Sequence, residues 1–542
     1  MYRNILIFCL IFFAVNRSSS QASKEKPKLV VGIIVDQMRQ EYLYRYYDKF
    51  GEGGFKRLLN QGFVVKNAHY NYVPTTTAPG HASIYTGSTP RYHGIISNSW
   101  YSRNDKKIVG NVDDGSVKTI GSTSANGEKS PHKLKGTTIT DELQISTNGK
   151  SKVISISLKD RGSILPGGHM ADGAFWFDGQ TGSFITSSYY TPKLPEWVVD
   201  FNASKKVDSL LKLGWHSLLP IAAYNESNGD DHPYEEGFPG IKRPIFPYDL
   251  KKLPRKEKYG LLSRTPHGNT ITRQLAEQAL KKEALGQTST TDFLAISFSS
   301  SDVVGHRFGP QSIEVQDIYL KLDRDIAHLL STLDHLVGKD RYTLFLTADH
   351  GGSDTPKFLA ENKVPIGINS KVYDELTTKL NKNYGLTDVV LSFKNQQIYL
   401  DKEVLRRKNL DIKKIEQEIV ADLYEMDGVA QVYYGDDLKH LNYTEKIGAM
   451  VQLGYNNKLS GDIVVVYEPI FWSSPMDYGT THGSPYNYDT HVPILWYGGN
   501  IPKGETVNRY NITDIAPSIA VMLNIKFPNT CIGRPISELF TQ

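Results

Sequence analysis

The chain has 542 residues, of which 39% are hydrophobic and 22% charged. That balance supports a sizeable core and excludes wholesale disorder. Lys and Arg total 62 against 58 Asp and Glu, a formal net charge of +4, too small an excess for a nucleic-acid-binding surface. Past the N-terminus there is no apolar run of the ~18–20 residues that a membrane span needs. At roughly 100–200 residues per domain the length allows two to four domains, or one elaborated α/β domain.

The N-terminus reads as an export signal. Arg3 supplies a positive start, Ile5 to Val15 an apolar stretch, and Ser18 to Ser20 a small polar run. The apolar stretch is about half the length of a spanning helix. We therefore expect residues 1–20 to be a signal peptide, cleaved near Ser20–Ala22, and the protein to be periplasmic or secreted. Cys9 lies within that signal, which leaves Cys531 as the one cysteine of the mature chain and no internal disulfide.

From Leu29 the chain alternates between apolar runs and helical periodicity. Leu29–Val35, ending in Asp36, reads as a fully buried strand of a parallel sheet. Similar runs follow at Val153–Ser157, Phe293–Phe298, Tyr342–Leu346 and Val492–Tyr497. Helices are expected at Phe55–Gln61, Ile271–Leu285, Ile313–Leu336 and Asn511–Leu523. The pattern predicts an α/β fold with a central, mostly parallel sheet flanked by helices. Ligands of such sheets bind beyond the carboxyl ends of the strands. Two stretches break the rhythm. Pro166 to about Arg264 is rich in Trp, Tyr, Pro and Gly and is expected to be an inserted cap. About Thr355 to Pro475, with strands at Val389–Phe393, Gln397–Leu400 and Asp462–Tyr467 and a helix at Ile412–Met426, is expected to be a small α/β subdomain. Residues 25–542 are thus expected to form one elaborated α/β domain with these two insertions.

Chemistry-bearing residues fall just after the expected strands. Asp36 ends the first; alone, it would serve as a helix cap. Asp349-His350 ends another and precedes Gly351-Gly352. Asp302 and His306 stand four apart, a spacing that can put both on one metal. His482-Gly483 and His491 lie in a loop before the last core strand; at most one is expected to be a ligand, with His491 a hydrogen-bonding neighbour or a structural donor. So many acidic and imidazole groups at one sheet edge would be a heavy burden of buried charge without cations. Mixed Asp/His donors without thiolates suit Zn²⁺ better than Mn²⁺, Fe or Co, and fit an all-oxygen Ca²⁺ or Mg²⁺ cage poorly.

The segment Pro74-Thr75-Thr76-Thr77-Ala78-Pro79-Gly80-His81 completes a series. Asp36, Thr77, Asp302-x-x-x-His306, Asp349-His350-Gly351 and His482-Gly483 occur in the order found in the alkaline phosphatase superfamily, which the chain resembles over about residues 28–540. Within it, the chain is most similar to the phosphate-irrepressible (PafA-type) alkaline phosphatases. The resemblance implies Thr77 as nucleophile, Asn98 as a phosphate contact and Lys159-Asp160-Arg161 as the Lys-x-Arg pair. It also implies two zinc ions, one on Asp302, His306 and His482, the other on Asp36, Asp349, His350 and the Thr77 oxygen. A monomer that hydrolyses small phosphate monoesters, with no specific nucleic-acid partner, is the expected protein.

Related chemistries are separated by the same segment. Arylsulfatases carry a Cys/Ser-x-Pro-x-Arg motif, whereas Thr77-Ala78-Pro79-Gly80-His81 has neither that first residue nor the Arg. Phosphoethanolamine transferases carry several membrane spans. Nucleotide pyrophosphatase/phosphodiesterases share the Thr and metal pattern and remain the alternative.

Overall fold

The computed structural model describes residues 25–540, apart from 242, 253–258, 369–370, 387–388 and 473–477. The expected signal peptide and Cys9 lie outside the described residues. The strand Leu29–Val35 is buried at every position. It runs parallel to Tyr342–Thr347 on one side and to Asp292–Phe298 on the other, with Leu29 opposite Tyr342 and Asp292. A strand buried on both faces must be apolar throughout, which is why the sequence shows a run rather than an alternation.

Ten strands form the main sheet among the described residues. In spatial order they are Gly504–Asn511, Phe63–His69, His491–Gly498, Tyr342–Thr347, Leu29–Val35, Asp292–Phe298, Val153–Ser157, Gly173–Asp178, Ser183–Ser187 and Thr119–Ile120. The five from Tyr342–Thr347 to Gly173–Asp178 are mutually parallel. His491–Gly498 is antiparallel to both its neighbours. The sheet is therefore mixed and mostly parallel. The apolar run at Val492–Tyr497 reports burial but not direction, so this reversal is invisible in the sequence. The helices Phe55–Gln61 and Ile313–Leu336 form as expected; Ile271–Leu285 is realised as His267–Lys282, and Asn511–Leu523 as a 3₁₀ turn followed by Ile515–Leu523. No helix among the described residues is long and apolar enough to cross a membrane.

The two irregular stretches differ in kind. The first part of the expected cap, Gly173–Asp178 and Ser183–Ser187, contributes two strands to the main sheet. Only the following part stands outside it. Among the described residues the second stretch builds its own four-stranded antiparallel sheet, in the order Val390–Lys394, Gln397–Leu400, Ile463–Tyr467 and Val429–Tyr434. The helices Val372–Tyr384 and Ile412–Tyr424 pack over it around Leu376, Ile398, Ile419, Leu423 and Val465. This body meets the main one through Val73, whose N–H donates to Met450 O, and through Arg91, whose guanidinium donates to Leu438 O and Gln452 O.

Cys531 is the single free cysteine among the described residues, and burial pushes its thiol up to about 11. Below that value the thiol keeps its proton, so the thiolate fraction climbs about tenfold per pH unit. We predict that alkylation of native protein at Cys531, mapped by peptide mass, rises log-linearly to about pH 10. Unfolded protein should instead level off near the ordinary thiol value of about 8.5. A native plateau near pH 9 would show that the thiol is not desolvated.

Candidate metal centre

Parallel neighbours end at the same edge, and the structure uses that edge for its ionisable groups. Asp36 follows Leu29–Val35, Asp349 and His350 follow Tyr342–Thr347, and Lys159 follows Val153–Ser157. Asp302 and His306 sit in the helix Ser300–Phe308, directly after Asp292–Phe298. Because His491–Gly498 runs the other way, the loop that precedes it, carrying His482, returns to this edge as well.

Donor atoms of Asp302, His350 and His482 form one group, and those of Asp36, Asp349 and His350 a second, all within 4.8 Å of one another in each. His350 thus belongs to both. The first group has His350 where the resemblance implies His306, although His306 Nε2 is 3.1 Å from Asp302 Oδ1 and His482 Nε2 is 3.7 Å from the same oxygen. His350 Nε2 lies 3.5 Å from Asp36 Oδ1 and 3.7 Å from Asp349 Oδ2. Those three atoms are buried and make no hydrogen bond. Leaving polar oxygens buried and unpaired costs about 1–3 kcal/mol each, and more where they are charged. The donor set therefore fits two divalent cations, and without thiolate it fits Zn²⁺.

Backbone carbonyls fix the three imidazoles. His306 Nδ1 donates to Thr480 O at 2.7 Å, His350 Nδ1 to Gly351 O at 2.8 Å and His482 Nδ1 to Thr75 O at 2.8 Å. Each bond holds the proton on Nδ1 and turns the Nε2 lone pair toward the carboxylates. The rings of His350 and His482 stack at 3.4 Å between centroids. Burial drives His350 down to about 3 and holds His482 well below its usual range, so both imidazoles remain neutral. Burial also lowers His306, but Asp302 outweighs it and the net shift is upward. Burial, and then the Asp36 charge, raise Asp349 well above the carboxylate range. Burial raises Asp302 too, yet His306 and Lys159 bring it well below.

Thr77 opens the helix Thr77–Thr86, all ten residues of which are buried. A helix start presents free N–H groups and a positive dipole end, a setting suited to an anion. Gly80 allows this helix to press on the metal-side loop: a Cβ there would meet Asp349 O at 2.3 Å. Asn98 Oδ1 accepts the Ala78 N–H at 2.9 Å, which fixes the side chain beside Thr77 and leaves its amide N–H groups to donate. Lys159 Nζ lies 2.5 Å from Asp36 Oδ2 and 2.6 Å from Asp302 Oδ2. The ammonium expected to face phosphate is thus held between carboxylates of both groups, where positive charge is most favoured. Arg161 has a buried Nε without a partner, and one of its terminal nitrogens is 3.6 Å from Asp160.

Four further residues act here that the sequence reading does not single out. Gln37 contacts both groups. His81 bridges Thr77 O at 2.8 Å and Ser297 Oγ at 2.8 Å, with Nδ1 3.4 Å from Asp349 Oδ2. Asn111 donates its side-chain amide to Asn98 O at 2.6 Å. Asp489 Oδ2 accepts the N–H groups of Gly483 and Ser484, bracing the His482 loop. Only His81, inside the Pro-Gly-His run, carried a signal. His491 is structural: its Nε2 bonds Lys66 O at 2.9 Å and its ring stacks on His69.

Comparison with known proteins adds to this geometry. The family described as Type I phosphodiesterase / nucleotide pyrophosphatase matches residues 30–491. Alkaline phosphatase PafA of Elizabethkingia meningoseptica is 45% identical over 95% of this chain and 94% of its own length. The chain belongs to the alkaline phosphatase superfamily, among the PafA-type phosphoric monoester hydrolases. The crystal structure of wild-type PafA matches with a TM-score of 0.93 and 44% identity, covering 95% of this chain and 99% of that one. A second PafA structure, in which one Thr, one Asn, one Lys and one Arg are exchanged, gives 0.92. A Myroides odoratus protein named calcium-transporting ATPase is 45% identical over 98% of both chains.

If this PafA-type centre holds two cations, chelator-stripped protein should rebind two divalent ions per chain, and its melting temperature should rise. At a free ion concentration of 100 Kd each site would add about 2.7 kcal/mol. A melting temperature indifferent to metal would show that the groups are not a metal centre.

Proposed function

We propose that the protein is an exported, zinc-dependent alkaline phosphatase that hydrolyses phosphate monoesters through a phospho-threonine on Thr77. The observation that carries this reading is the helix start at Thr77, whose neighbours Ala78, Thr75 and Gly80 meet Asn98 and, in the two candidate metal groups, His482 and Asp349. Bound zinc would supply Lewis-acid charge for a hydroxyl nucleophile and for the departing oxygen. Thr77 Oγ gives its proton to solvent and attacks phosphorus, the ester P–O bond breaks, and the alkoxide takes a proton from solvent and leaves as the alcohol. Water then cleaves the phospho-threonine and releases phosphate, returning the hydroxyl. Asn98 donates its amide N–H to a phosphoryl oxygen from the position that Ala78 fixes. Lys159 and Arg161 hold the remaining charge, Arg161 through parallel N–H donors.

The cap role of the earlier insertion also belongs to this reading, from about residue 188 to 264. Its Glu236 N–H donates to Arg307 O at 2.8 Å, and Tyr234 O accepts from Gly479 N at 3.1 Å, next to the segments carrying His306 and His482. The residue types exchanged in the PafA variant structure match those of Thr77, Asn98, Lys159 and Arg161. The Myroides name makes ATP a substrate to test, because its terminal phosphoryl group also carries three unesterified oxygens. The family description keeps a diesterase as the second reading.

Thr77→Ser should retain substantial activity, whereas Thr77→Ala should lose several orders of magnitude and yield no acid-trapped phosphoprotein. Near-native turnover by the Ala variant would assign the nucleophile elsewhere. Separately, an aryl phosphate monoester should be turned over much faster than its methyl diester. A dianion has three free oxygens for the cationic pair, and a diester has only two. At roughly 1.5–3 kcal/mol per charge-assisted bond, Lys159→Ala/Arg161→Ala should lower monoester kcat/KM by about 10²–10⁴, with the diester falling much less. Equal slowing of both substrates would make the pair structural, and faster diester turnover by the parent enzyme would favour the second reading.

A further inference from the structure

Gln37 is the residue directly after Asp36, and its backbone is left-handed, with φ of +61°. Non-glycine residues adopt that conformation infrequently. The surroundings here are both metal groups. The Gln37 backbone N–H donates to Asp349 Oδ1 at 3.1 Å, and the side-chain amide donates to Asp302 Oδ1 at 2.9 Å. One residue therefore pins a carboxylate of each group, and it is 95% buried while doing so, with 5% of its surface exposed.

Two glycines make room for it. A Cβ on Gly305 would stand 2.0 Å from Gln37 Oε1, and one on Gly352 would stand 3.3 Å from Gln37 Cδ. Gly305 precedes His306, and Gly352 follows His350 by two, so both segments that carry ligand-type histidines close over the same amide. Asp302 Oδ1 already faces two imidazoles, and Asp302 Oδ2 faces Lys159. A neutral amide adds a hydrogen bond without adding a charge that competes with a cation. It fixes the rotation of the carboxylate, as neighbours of metal ligands do.

We infer that Gln37 is a positioning residue whose side-chain amide sets the geometry of the Asp302 group, while its backbone N–H separately secures Asp349. The inference rests on the two-metal reading above. In Gln37→Met the shape is kept and the donor is lost. The Gly305→Ala variant instead evicts the amide while Gln37 remains.

The test is competition between each zinc-loaded protein and a chelator, with circular dichroism of the stripped proteins as the check on folding. Wild type should show two zinc-binding steps. In either variant one step, the same one that Asp302→Asn abolishes, should weaken by about 10–100-fold while the other holds. If one variant does not fold, the other reads the same quantity. Two wild-type affinities in the folded variants, or equal weakening of both steps, would overturn the role of Gln37 alone. A wild-type protein that binds no zinc would overturn the metal reading and this inference together.

Discussion

The constraint on which the site depends is electrostatic. Asp36, Asp302 and Asp349 bring three carboxyl groups together where the backbone excludes water, at 0%, 5% and 0% exposure. Such a cluster is tolerable only if positive charge or hydrogen-bond donors reach every oxygen. The protein meets part of this demand itself, with the Lys159 ammonium, the Gln37 amide and three imidazoles fixed by carbonyls. The oxygens still without partners face the same interior, so the arrangement suits a receptor for cations.

Sheet geometry makes that concentration possible. Parallel strands all end at one edge, so residues far apart in the chain meet there with no dedicated loop to carry them. The reversed strand His491–Gly498 brings in the last imidazole from the opposite chain direction. The cost is close approach, of one helix to the loop backbone at Gly80 and of another to the buried Gln37 side chain at Gly305.

Much of this was legible in the sequence, for a physical reason. A strand buried on both faces is a run of apolar residues, and a carboxylate or imidazole at its end stands out against it. Asp36 and Asp349-His350 were visible in that way, and Asp302 and His306 by their helical spacing. Strands without that signature were not. Gly504–Asn511 lies at the sheet edge and is largely exposed, so it reads as polar chain. Gly173–Asp178 was concealed by the aromatic residues around it and looked like cap. Gln37, Asn111 and Asp489 carry ordinary side chains whose roles arise from hydrogen bonds that only the folded chain creates. Gln37 reaches Asp302 across 265 positions, a relation that no local pattern encodes.

Those long separations also govern when the site can exist. The bond from His482 to Thr75 O closes a loop of 407 positions, and Gln37 to Asp349 closes one of 312. Contacts so distant pay the full entropy of loop closure before they return anything, so they form late and slow the folding of the chain. A nascent chain has no complete metal centre until the residues beyond His482 have been made and the reversed strand has been inserted beside Tyr342–Thr347. The last strands thus act as a lock: a chain ending between His482 and His491 would hold all of the ligand-type residues and lack the strand that turns the His482 loop back onto the rest.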